Sequence, residues 1–250
     1  VIFSLNLLFS KEKLLSIPDK IMKTIGMIGG TGWPSTLEYY RIINQETNRR
    51  LGGLSSAKII LTSFNYAEID KLNKAEDHAG VYKLVLTAAQ KLKAAYVDCI
   101  VLCANTLHQY VEELEKETEI KIVHIADATA KEINGKGLSK IGLLGTRFTM
   151  EMDFYTKRLK EAGIESLVPP KPEREFVHDA IMNELLKEKF KRGTKEKFLN
   201  IINNLEKQGA QGIVLGCTEI PLLIKQADVN LPVFNTLEIH SKAAVDFALS

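Results

Sequence analysis

Cysteine is scarce in this chain: 250 residues hold three, Cys99, Cys103 and Cys217. An odd, small number at this length excludes a disulfide framework and points to a reducing, cytoplasmic location. No apolar run approaches the ~20 residues that a membrane helix needs, so no membrane partner is expected. Charge of one sign is also lacking, with 33 Lys+Arg against 31 Asp+Glu and a formal net charge of +2. No basic cluster is dense enough for a nucleic-acid footprint. The five histidines, His78, His108, His124, His178 and His240, show no i, i+4 pair or other metal-ligand spacing, so no metal is expected. What is present is ordinary for a globular chain: 45% hydrophobic and 26% charged residues, in a length that fits one large or two small domains. Residues 1–21 stand apart as an upstream extension. Their apolar stretch is short and has no positive segment in front, and Met22 reads as a natural start.

From Thr24 onward, short apolar strands alternate with longer helical segments, the signature of parallel sheets covered by helices. Strands are expected at 24–29, 57–63, 97–103, 121–124, 139–145, 164–168, 211–216 and 232–235. Helices are expected near 34–51, 76–95, 106–118, 125–135, 148–162, 174–189, 194–208, 219–226 and 236–249. One motif occurs twice. DCIVLCANTLH (98–108) and QGIVLGCTEIP (211–221) both run Ile-Val-Leu into a small residue, cysteine and threonine. TIGMIGGTGWPSTLEYYRII (24–43) likewise resembles KIGLLGTRFTMEMDFYTKRL (140–159). The offsets are 213 − 100 = 113 and 141 − 25 = 116 residues. Two features recurring in one order at nearly one period predict two pseudo-symmetric, three-layer α/β subdomains. Their strand C-termini would face a shared cleft, where open α/β sheets bind ligands. The expected division is 1–23 as extension, 24–119 plus 229–250 as the first subdomain, and 120–228 as the second.

The glycine turn GMIGGTGWPST lets the backbone approach a ligand and aims helix N–H groups at an anion. Its spacing is not a dinucleotide fingerprint, and no phosphate-loop lysine follows, so a small carboxylate suits it better. A thiol at a strand end can donate a proton to carbon, and its thiolate can take one. Cys99, at the start of its strand, reads as core. Cys103 and Cys217 stand at strand ends in a repeated context. His108 reads as a solvated helix residue. Arg49-Arg50 fits either a solvated helix end or a cation for a substrate carboxylate. Lys187 is one of many lysines at a basic helix end, where the helix dipole favours it.

The segments IGMIGGTGWPSTLEYYRIIN, RLGGLSSAKI, IVLCANTLH, HIADATA, LLGTRFTMEMDFY and GIVLGCTEIPLL together resemble the aspartate/glutamate racemase family, most closely its bacterial broad amino-acid branch. The resemblance runs from Met22 to the C-terminus. It implies a cofactor-independent amino-acid racemase of the aspartate/glutamate type, without pyridoxal phosphate or metal, often as a homodimer. In that family two facing groups, normally cysteines, work on opposite faces of the α-carbon. The resemblance makes Cys217 one catalytic thiol and offers Cys103 as the other. It assigns substrate contacts to Thr31, Asn73, Asn105, Thr106 and Thr218, with Ala104 and Glu219 beside them. Arg50 and Lys187 resemble the family's cations near the side-chain carboxylate.

One departure bears on mechanism. The family's first cysteine directly precedes Asn-Thr, but here Ala104 holds that place. Aligning the two Ile-Val-Leu triplets pairs Cys217 with Ala104, and Cys103 with Gly216. Adjacent strand residues point to opposite faces, so a regular strand turns Cys103 away from the cleft, and only a bulge or an early turn brings it back. Two alternatives stay open: a one-cysteine decarboxylase or isomerase of the same superfamily, and a catalytically impaired amino-acid-binding relative.

Overall fold

A computed structural model describes residues 22–250; the expected extension over 1–21 lies outside the described residues. All eight expected strands form, in two four-stranded sheets. The first holds β1 (Ile25–Gly29), β2 (Ile59–Ser63), β3 (Cys99–Leu102) and β4 (Lys121–Ile122), in the order β2-β1-β3-β4. The second holds β5 (Lys140–Gly145), β6 (Glu165–Leu167), β7 (Ile213–Gly216) and β8 (Val233–Asn235), in the order β6-β5-β7-β8. Every pairing is parallel. The same topology appears twice, as the sequence repeat implies.

The helices are α1 (Trp33–Leu51), α2 (Tyr66–Lys74), α3 (His78–Ala94), α4 (Val111–Thr118), α5 (Ile125–Gly135), α6 (Arg147–Glu151), α7 (Asp153–Glu161), α8 (Lys171–Asn183), α9 (Arg192–Lys207), α10 (Ile220–Leu223) and α11 (Thr236–Ala248). Helix α2 was not expected. Its buried face is a single residue, Ile69, but it starts at an Asn65 cap and ends in lysines. The helix expected over 148–162 breaks at Met152, whose backbone is extended, giving α6 and α7. The helix expected over 174–189 stops at Asn183 and is followed by a 3₁₀ turn, Leu185–Lys187.

Strand alternation sorts the core into layers. In the first sheet Ile25, Met27, Cys99, Val101 and Cys103 face α1 and α11. Ile28, Ile100, Leu102 and Ile122 face α3 and α4. In the second sheet Ile141, Leu143 and Val214 face α5 and α7, while Leu144, Ile213, Leu215 and Cys217 face α8 and α9.

Two helices are exchanged between the halves. Helix α5 follows β4 of the first sheet but buries Ile125, Ala126, Ala130 and Ile133 in the second. Helix α11 follows β8 of the second sheet but buries Leu237, Ala244, Val245 and Ala248 in the first. The boundaries expected at 119/120 and 228/229 are therefore corrected: they cut β4 and β8 away from the sheets that hydrogen-bond them. In each half a fully buried tyrosine grips the exchanged helix. Tyr39 Oη lies 2.9 Å from His240 Nδ1, and Tyr155 Oη donates to Thr129 Oγ1 at 3.1 Å.

His240 belongs to a buried histidine cluster at this crossing. The ring of His108 lies 4.9 Å from that of His124 and 5.2 Å from that of His240. His240 Nε2 meets Val123 O at 2.6 Å, so that nitrogen carries the proton and Nδ1 accepts from Tyr39. Burial lowers His124 to about 3 and His240 to about 4, and holds His108 well below its ordinary value. The folded state thus holds three neutral imidazoles that the unfolded chain protonates below ~6.5. Stability present above that pH is lost as pH falls from ~6.5 toward the folded values. Urea unfolding should show this as a falling midpoint between about pH 7 and about pH 5, and a flat midpoint there would contradict the neutral cluster.

Candidate active site

The loops after the strands of both sheets enclose one cavity of about 340 Å³. From the first half it is lined by Thr31 and Gly32 after β1, Tyr66, Ile69, Asn73 and Lys74 on α2, and Ala104, Asn105 and Thr106 after β3. From the second half come Thr146, Arg147, Phe148 and Thr149 after β5, His178, Ile181, Met182 and Leu186 on and after α8, and Cys217, Thr218 and Glu219 after β7. Of the expected site residues, Cys217, Thr31, Asn73, Ala104, Asn105, Thr106, Thr218 and Glu219 meet here.

Cys217 is buried and its Sγ donates to Glu219 Oε2 at 3.0 Å. Thr218 Oγ1 donates to the same oxygen at 2.9 Å, and Ser35 Oγ donates to Oε1. The carboxylate is thus nearly sealed from solvent, with three neutral donors and no cation among them. Burial raises the Cys217 thiol well above its ordinary value, and the Glu219 charge raises it further. The resting group is therefore a thiol that shares its proton with a carboxylate. Gly32 makes the arrangement possible, because a Cβ there would lie 2.5 Å from Glu219 Oε1. Tyr66, which no sequence signal marked, is raised to about 12 by burial, then by Asp70 and the Cys217–Glu219 pair.

Opposite chemistry is provided by hydroxyls and amides. Thr31 Oγ1 and Asn105 Oδ1 are buried and have no hydrogen-bond partner, so each is free to meet a ligand. Asn105 is braced by Thr236 of the exchanged helix, at 3.3 Å from its Nδ2. Gly30 sits at φ +86° against the backbone of Phe64. That conformation favours glycine and lets the chain turn from β1 into the cavity.

Three expected site residues are elsewhere. Cys103 is 1% exposed in the core between β3, α1 and α11, where burial raises its thiol. The chain stays extended through Ala104 (φ −153°, ψ 139°), so no bulge restores the register, and Ala104 takes the cleft position. Arg50 is held by Glu46 and Asp246, each at 2.6 Å. It lies 17 residues along α1 from Trp33, about 26 Å at 1.5 Å per residue, and α1 runs away from the strand ends. Together Arg49 and Arg50 hold Glu46 down to about 2, a structural ion cluster. Lys187 is exposed, because the 3₁₀ turn presents its neighbour Leu186 to the cavity instead. His108, expected as a solvated helix residue, is 2% exposed, its Nδ1 meeting the carbonyls of Ala104 and Asn105 at 3.0 and 3.3 Å.

Removing the charge of Glu219 should relax the thiol. In Glu219→Gln protein the Cys217 titration, followed by thiolate absorbance with Cys217→Ser as the blank, is expected at lower pH than in the parent. An unmoved titration would mean that the sulfur does not feel the carboxylate.

Comparison with known proteins adds a family to this geometry. The sequence profile of the Asp/Glu/hydantoin racemases matches residues 28–244. The broad specificity amino-acid racemase RacX of Bacillus subtilis is 26% identical over 174 residues, 70% of this chain and 75% of that protein. Glutamate racemase of Aquifex pyrophilus is 29% identical over 185 residues, 70% of each chain. Among solved structures, a Yersinia pestis chain provisionally named an Asp/Glu racemase superposes with a TM-score of 0.86 at 45% identity, covering 92% of this chain and 100% of that one. An aspartate racemase homologue from Pyrococcus horikoshii superposes with a TM-score of 0.80 at 37% identity, with the same coverage.

Proposed function

This chain belongs to the Asp/Glu/hydantoin racemase family, and on that footing we propose that it is a cofactor-independent amino-acid racemase of the aspartate/glutamate type. The observation that carries the reading is the Cys217 thiol, 3.0 Å from a buried carboxylate inside the cavity between the halves. Cys217 delivers its proton to one face of the α-carbon. In the reverse direction Glu219 takes the proton from sulfur as sulfur takes the proton from carbon, so no free thiolate has to persist. Backbone N–H groups of residues 31–32 and 105–106, with the Thr31 hydroxyl, face the place of the enolate-like carboxylate, and Asn105 Oδ1 is free to accept from the substrate amine. On the other face Ala104 offers no acid or base. The second proton passes through water beside its methyl group. A cytoplasmic homodimer is part of the same proposal, and no helix among the described residues is long and apolar enough to cross a membrane.

Ala104 also favours a second reading. A single thiol suffices for a decarboxylase, in which loss of carboxylate makes the carbanion and Cys217 protonates it. Incubation of L- and D-aspartate and glutamate in deuterated water separates the two. Cα–H loss with inversion, seen by NMR and chiral chromatography, is the racemase result. No exchange across a broad amino-acid panel would sink it. Cys217→Ser should lower the exchange rate by about 10²–10⁴, the usual worth of a positioned acid/base. Cys103→Ala should leave exchange in place, since that thiol is outside the cavity. Ala104→Cys should raise the rate, by supplying a second thiol at the family's position.

A further inference from the structure

We propose that Arg147 is the specificity-determining residue of this cleft, its guanidinium taking the side-chain carboxylate of an acidic amino acid. The inference rests on the racemase reading and names the substrate class for it. With Arg50 and Lys187 outside the cavity, two lysine or arginine side chains remain in its lining, Lys74 and Arg147. Lys74 is held by Asp70 at 2.6 Å, within one turn of α2. The Arg147 side chain makes no hydrogen bond or ion pair with any described residue. Its backbone N–H alone is engaged, at 3.4 Å from His178 Nδ1. His178 also lines the cavity; burial lowers its pKa, and the nearby Arg147 charge lowers it further. The neighbouring wall is apolar, made by Ile181, Met182 and Leu186. A carboxylate entering beside that wall meets one unpaired cation, and a planar guanidinium can bind it in two-point fashion.

Its place in the repeat strengthens the assignment. Gly145-Thr146-Arg147 follows β5 as Gly29-Gly30-Thr31 follows β1, with 147 − 31 = 116, the offset of the two strands. The pseudo-symmetric positions therefore carry a hydroxyl on one half and a guanidinium on the other. A dicarboxylate substrate has two anionic ends that a symmetric cleft would not tell apart. Arg147 breaks the symmetry: the distal carboxylate goes to the second half, the α-carboxylate to the Thr31 hydroxyl, and the α-ammonium donates to Asn105 Oδ1.

Two measurements test this. First, kcat/KM for aspartate and glutamate is compared with that for asparagine and glutamine in the parent, Arg147→Gln and Arg147→Lys proteins. The acidic-to-neutral ratio should fall by about tenfold to a hundredfold in Arg147→Gln, the worth of one charged hydrogen-bonded contact, mainly through KM. Arg147→Lys should recover part of it. An unchanged ratio, or equal losses on acidic and neutral substrates, would overturn the proposal. Second, calorimetric titration of Cys217→Ser protein with the same amino acids reads binding without turnover. Acidic ligands should bind more tightly than their amides, and Arg147→Gln in that background should erase the difference. No preference in the Cys217→Ser protein would overturn the proposal too. The racemase reading fails separately, if the parent exchanges Cα–H on none of the panel while the binding preference stands.

Discussion

The exchange of α5 and α11 is the constraint on which the molecule depends. Each helix leaves the edge strand of one sheet and buries its apolar face on the other. Neither sheet can close its inner layer with local chain alone, so the halves fold as one body. The tyrosine–helix contacts of Tyr39 and Tyr155 repeat this lock on both sides of the pseudo-twofold axis. The cavity inherits its rigidity from the same crossing. Thr236 begins α11 and braces Asn105, while His108 and His240 meet edge to face in the layer behind.

The site itself is stabilised at some cost. A buried carboxylate without a cation loses several kcal/mol of solvation, offset in part by its donors. Ser35, Thr218 and Cys217 supply three hydrogen bonds to Glu219, and Gly32 gives up a side chain to admit it. Such an arrangement is hard to explain as packing. Its electrostatic effect falls on one sulfur, that of Cys217.

Much of the fold was legible because parallel strands are short apolar runs with glycine or polar residues at their ends. The repeat offsets carried the topology, and the one-residue shift between Cys103 and Cys217 raised the question of which faced the cleft but left it open, because a bulge would have brought Cys103 back; the extended backbone at Ala104 is what turns it away. Side-chain reach was not legible. Arg50 has the right charge, but α1 carries it to the far end of the sheet, and the 3₁₀ turn after α8 rotates Lys187 outward. Glu219 was visible as a neighbour of the thiol, yet its link to Ser35, 184 residues away in sequence, exists only in three dimensions. Helix α2 was missed because Ile69 alone forms its buried face, so periodicity was faint although caps and end charges were present.

The crossing helices also bear on descent. A single ancestral half, ending in its own edge strand and trailing helix, would leave one face of its sheet bare. Two identical copies could cover both faces by trading those helices, and a head-to-tail gene fusion would then freeze the trade within one chain. A trade of that kind leaves the two halves free to differ at matching positions, as they do here, with alanine where the other half has cysteine and threonine where it has arginine.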